Sequence, residues 1–248
     1  MKKLLLVALF IPFIGQAQLK KLITKAKQQT TKTTSKEDTS KTSILGNADI
    51  TAGLKEALNS GITKQVSKLT TMDGFYKNEL VKIVLPEELQ KVDKTLRKLG
   101  MSSLADEGIK VLNRAAEDAV KEATPIFVDA IKNMTITDAK NILLGNDVAA
   151  TDYLKTSTST ALYSKFNPVV QQSLGNVGAD KVWTTIINKY NNLPLVSKVN
   201  PDLNDYVTNK AMDGVFKMIS VEEKEIRTSL PARSTNLLQK VFALQDKK

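Results

Sequence analysis

From Asn47 onward, large apolar residues return every three or four positions. Ile50, Leu54, Leu58, Ile62, Val66 and Leu69 fall on one face of a 3.6-residue helix, with Asn47 as its cap, and Met72-Asp73-Gly74 ends the pattern. The run VKIVL (81–85) is the one strand-like stretch. Pro86 then takes a first-turn position ahead of Glu87 and Glu88, which suit the positive end of a helix dipole, and this helix runs through Val92, Leu96 and Leu99 to Gly100. The next begins near Ser102 or Ser103 and buries Leu104, Ile109, Leu112, Ala115, Ala116 and Ala119. Thr124-Pro125 reads as a cap and first helical position for a face made of Ile126, Phe127, Ala130, Ile131 and Met134. Thr135 with Asp138 forms a capping box for a helix ending at Gly145.

A longer segment follows from Asp147 through Tyr153, Leu154, Leu162 and Phe166. Its interior TSTST (156–160) is poor helix material and predicts a bend or a polar helix contact. Asn167-Pro168 predicts a restart through Val170 and Leu174 to Gly175, and Ala179–Tyr190 carries the single Trp. After Leu193-Pro194, Pro201 opens a helix through Leu203, Tyr206, Val207, Met212 and Phe216. Val221–Arg227 and Ser234–Leu244 complete the series. The expectation is an all-α protein, one compact domain of about nine or ten helices over residues 44–248.

The chain ahead of that domain has a different character. MKKLLLVALFIPFIGQAQ places Lys2 and Lys3 before an apolar run, Leu4–Ile14, too short to span roughly 30 Å of hydrocarbon. Gly15-Gln16-Ala17 follows with small residues where a signal peptidase reads them. This predicts a signal peptide over 1–17 cut between Ala17 and Gln18, and a mature chain in the periplasm or secreted. Residues 18–43 are Lys/Thr-rich, with no large apolar residue after position 27, a composition that predicts a flexible segment. Within it Leu19, Leu22, Ile23 and Ala26 share a helical face opposite Lys20, Lys21, Lys25 and Lys27, a pattern able to lie on an anionic membrane surface.

Charge and composition narrow the chemistry. Of 36 basic and 26 acidic residues, two Lys precede residue 18. Seven Lys, Glu37 and Asp38 fall in residues 18–43, leaving 27 against 24 from Ile44 onward. The basicity therefore belongs to the leading segment, and a near-neutral body with 5% aromatic residues points away from nucleic acid. With no Cys and no His, disulfides, thiol or His catalysis, Ser-His-Asp triads and Cys- or His-ligated zinc are excluded. Catalysis would fall to carboxylate, Lys or Tyr chemistry. No metal site and no cofactor is expected.

The densest polar cluster is NRAAEDA (113–119). Asn113, Arg114, Glu117 and Asp118 lie mainly opposite the apolar stripe, with Arg114 and Asp118 at the i, i+4 spacing of a helix-surface pair. Either this is a solvated face or an interhelical salt bridge, or these residues line a groove completed by Asp129 and Lys132 of the next helix. Asp138, Asp152 and Tyr153 lie near helix starts, where capping and core packing compete with a ligand role. Trp183 and Tyr190, seven residues apart, share a helical face. Glu222, Glu223 and Glu225 suit a helix N-terminus, Asp202–Asp205 fails EF-hand spacing, and Gly175–Gly178 is a helix end and not a phosphate loop.

The ordered motifs LKEALNSGI, VLPEELQKV, LRKLG, NRAAEDA, PIFVDAIKNMTITDAKNILLG, AATDYL, YNNLP, YVTNKAMDG and ARSTNLL, spread over residues 44–245, resemble the bacterial domain-of-unknown-function 4197 family. That resemblance implies an exported bacterial protein with one predominantly helical domain, and it brings no activity, substrate or site residue with it. The sequence as a whole predicts a non-catalytic envelope protein that binds an envelope partner or a small apolar ligand between its helices. The alternatives are a membrane-surface adaptor acting through residues 19–27, or an enzyme working without His or Cys.

Overall fold

A computed structural model describes residues 46–98, 100, 102–176, 178, 184, 188, 191–192, 198 and 202–246. Among them eight α-helices are assigned, with no strand: α1 (Asn47–Leu69), α2 (Glu87–Lys98), α3 (Ser102–Val120), α4 (Ala123–Asn133), α5 (Ile136–Leu144), α6 (Ala149–Asn176), α7 (Leu203–Thr228) and α8 (Asn236–Phe242), with a 3-10 turn at Leu230–Ala232. The chain is all-α as its periodicity requires. Of the helix expected over 179–190, only residues 184 and 188 are described, both helical.

α7 is the central element. Its buried positions reach round most of its circumference, from Leu203, Val207 and Ala211 through Val215, Phe216 and Ile219 to Ile226, and it packs against α1, α3 and α6. The other helices bury single stripes. On α6 the series Leu154, Thr158, Leu162, Phe166, Val170 and Leu174 repeats every four residues. Phe127 of α4 meets Phe216 of α7 edge to face, ring centres 6.0 Å apart, an arrangement the opposed charge of ring edge and face favours.

Three expected boundaries differ. α6 runs unbroken through both TSTST and Pro168. The hydroxyls of Thr156, Ser157, Thr158 and Ser159 donate to the carbonyls four residues earlier at 2.6–2.9 Å, so a hydroxyl-rich run stays helical without exposing unmet donors. α4 starts at Ala123 with no side-chain cap, so Thr124 lies inside the first turn instead of capping it, and Pro125 sits where its missing N–H costs nothing. Val221–Arg227 is not a separate helix but the last two turns of α7, which moves Glu222, Glu223 and Glu225 from an expected N-terminus to a C-terminal end.

The 70–86 connection crosses α3 and α7. Phe75 is fully buried, and Gly214 makes room for it: a Cβ there would meet Phe75 Cε1 at 2.5 Å. VKIVL alternates as its pattern suggests, Val81, Ile83 and Leu85 buried and Val84 exposed, yet its main chain pairs with a side chain and not with a strand. No helix among the described residues is long and apolar enough to cross a membrane.

Candidate functional site

The NRAAEDA turn closes the fold. Asn113 is fully buried and acts as a peptide mimic: its Oδ1 accepts from Ile83 N at 2.8 Å, while its Nδ2 donates to Ile83 O and Ile109 O, each at 2.8 Å. Glu117, also buried, accepts from Phe75 N at 3.0 Å and Tyr76 N at 3.4 Å, and from Arg114 Nη1 at 2.5 Å. Arg114 also donates to Asp73, a non-glycine residue held at φ 69°. Hydrogen bonds from Lys77 and then Arg114 keep the Asp73 carboxyl below its ordinary pKa. Asn113 and Glu117 thus lie inside, not on the polar arc the spacing suggested. Asn113 spends its amide, and Glu117 one carboxylate oxygen, on loop backbone that would otherwise lack partners.

The expected Arg114–Asp118 pair is replaced. Arg114 turns to Glu117 and Asp73, while Asp118 accepts from Lys121 at 2.7 Å and from Ser173 Oγ at 3.1 Å. Asp129 and Lys132 are exposed on α4, and what reaches Lys132 is Lys55 Nζ, donating to its carbonyl at 2.8 Å. The structure joins Asn113, Arg114 and Glu117 to the 73–83 loop, and among the described residues none of the three bonds to Asp129 or Lys132. Asp152 is exposed in the first turn of α6. Tyr153 is half-buried, its hydroxyl donating to Ala130 O at 3.4 Å, and burial raises its pKa. Trp183, Tyr190, Ala17, Gln18 and Lys20, Lys21, Lys25 and Lys27 lie outside the described residues.

A second buried network was not anticipated. Glu223 of α7 accepts from Ala150 N, Thr151 N and Thr151 Oγ1, all at 2.8 Å, and so caps the N-terminus of α6 from a distance. Arg227, one turn on, pairs with Glu223 at 2.8 Å and donates to Ile142 O at 2.8 Å and Leu143 O at 3.3 Å, at the C-terminus of α5. The pair thus sits between a positive and a negative helix end, each charge matched twice. Arg233 does the same for α7, donating to Ile226 O and Arg227 O at 3.0 and 2.9 Å and to Asp246 at 2.6 Å. The sequence signal is that 223 and 227 flank Ile226 on an otherwise apolar stripe, where an unpaired charge could not stay.

The concave surface lies elsewhere, between α1 and the end of α7. Ala57, Ser60, Gly61 and Lys64 form one wall. Glu222, Glu225, Ile226 and Ser229 form the other, and Pro231, Ala232, Ser234 and Leu238 close one end of a cleft of about 430 Å³. Glu222 is buried at its base, accepting from Lys64 Nζ at 2.7 Å and from Gln65 Nε2, and the Glu222 bond raises the Lys64 pKa. Glu225 stands exposed at the rim, and its carboxylate has no ion-pair or hydrogen-bond partner among the described residues. An adjoining apolar void bounded by Leu54, Leu58, Ile62, Ile219 and Phe242 amounts to about 30 Å³, room for one water and not for an organic molecule. No group of three acidic residues among those described could hold a metal ion.

These residues define a helical domain whose polar interior is committed to tying helix ends and loops together, with one sizeable polar cleft between its first and seventh helices. The chain belongs to the family described as "Protein of unknown function (DUF4197)", whose model matches residues 44–243. Comparison with curated proteins and with solved structures gives no match.

Proposed function

We propose that this is an exported protein of the bacterial cell envelope that works by binding, with the α1/α7 cleft as its binding surface and without catalysis of its own. The observation that carries this reading is the contrast between two sets of charges. Glu117, Glu223, Arg227 and Arg233 are buried and spent on helix ends and loop amides, whereas the cleft of about 430 Å³ opens onto Lys64, Glu225 and three serines. That volume lies within the range of small-molecule sites, roughly 300–1,000 Å³. A ligand held there is polar, because the apolar space beside it holds no more than a water. Export rests on the order of basic, apolar and small residues over 1–17.

Two measurements test this. Fractionation with N-terminal sequencing is expected to find the chain outside the cytoplasm, beginning at Gln18; a chain retaining Met1 in the cytoplasm would refute export. Native mass spectrometry of chain purified gently from envelope is expected to show an added mass that Ser60→Trp removes, since Ser60 is exposed on the cleft wall. An added mass that survives Ser60→Trp would place binding elsewhere.

A further inference from the structure

Resting on that reading, we infer that the α1/α7 cleft binds a small organic di- or polyamine, one ammonium on Glu225 and its methylene arm along Ile226 and Leu238. The charge pattern is the first argument. Lys64 is the one basic side chain among the described wall residues; it is bound to Glu222 at 2.7 Å and reaches Glu225 only through its field, so one negative charge is left in excess, at Glu225. An anionic ligand would have to displace Glu222 from Lys64 and still face Glu225, a double repulsion that an ammonium does not meet.

The remaining groups suit the same chemistry. The hydroxyls of Ser60, Ser229 and Ser234 have no hydrogen-bond partner among the described residues and can accept from an N–H donor. Ile226, Leu238 and Ala57 offer the apolar contact that an alkyl chain between two nitrogens needs. A divalent cation would require oxygen ligands converging on one point, and no trio of acidic groups among the described residues supplies them. A flexible cation with a charged end and an apolar body meets every wall.

The test is calorimetric titration of putrescine and spermidine into the chain beginning at Gln18, with butanol and acetate as the neutral and anionic comparisons. Saturable 1:1 amine binding is expected, weakened at least about tenfold by Glu225→Gln, as loss of one charge-assisted bond implies, and abolished by Ser60→Trp. Both residues are exposed, and unchanged urea midpoints would verify that the variants fold. Amines that fail to saturate, bind Glu225→Gln equally well, or bind no better than butanol would overturn the inference. If amines fail while Ser60→Trp still releases an added mass from envelope-purified protein, the cleft remains the binding surface and the amine class alone falls. If amines bind Ser60→Trp as tightly as the native chain, the cleft is not where they bind and the inference falls.

Discussion

Replacing Glu223 by Ala tests the claim that buried charge is structural here. The substitution strands the Arg227 guanidinium, whose side chain is 3% exposed, and removes the acceptor of Ala150 N, Thr151 N and Thr151 Oγ1. Breaking a buried pair from one side costs about 3–5 kcal/mol, since the surviving charge keeps its desolvation penalty and loses its compensation. Arg227 retains its bonds to Ile142 O and Leu143 O, which holds the expected loss toward about 3 kcal/mol. Asp118→Ala at the exposed Lys121 pair should cost less than about 1 kcal/mol. Urea unfolding followed by far-UV circular dichroism measures both. The pair should also be coupled, Glu223→Leu with Arg227→Met costing about 1–3 kcal/mol less than the two single changes summed. A loss below about 1 kcal/mol for Glu223→Ala, or strict additivity, would show that the buried pair does not hold these helix ends.

Asn113→Ala should cost about 1–3 kcal/mol by orphaning the Ile83 amide and carbonyl, and the Ile83 amide should exchange its hydrogen faster, read by NMR. Thr135→Ala removes the hydroxyl that accepts from Asp138 N at 3.1 Å and should cost about 1 kcal/mol in the same urea assay. Asp73, Asp138 and Asp246 are held below their ordinary pKa of 3.8 by Lys77, Thr135 and Arg233 respectively. Their unfolded forms therefore bind protons first as pH falls. The stability they contribute is complete well above 3.8 and is lost as pH drops through the lower folded values. Asp246→Asn should make stability less steeply pH-dependent below pH 4, which urea midpoints taken across that range would reveal.

Helical class, most element boundaries and the Thr135–Asp138 capping box were legible because each depends on spacing along the chain. What escaped depends on which elements meet. NRAAEDA announces a polar turn, but its spacing gives no hint that Asn113 and Glu117 would turn inward to serve the 73–83 loop, since their partners lie 30 to 42 residues away. Glu223 and Arg227 were masked by the acidic run around them, whose role changed once α7 proved continuous to Thr228. The cleft was invisible for the same reason: Ser60 and Glu225 are ordinary surface residues until α1 and α7 are laid side by side. The serines and threonines of α6 misled in the other direction, because propensity undervalues a hydroxyl that bonds back to its own helix.

We propose a division of labour in which the charged turn holds the fold and the α1/α7 cleft meets the ligand. Hydrogen exchange read by mass spectrometry, on the chain beginning at Gln18 with and without a gentle extract of bacterial envelope, tests it without naming a ligand beforehand. Added protection confined to peptides covering residues 57–64 and 222–238 is the predicted result. Protection centred on residues 73–83 and 113–118, with the cleft peptides unchanged, would contradict it.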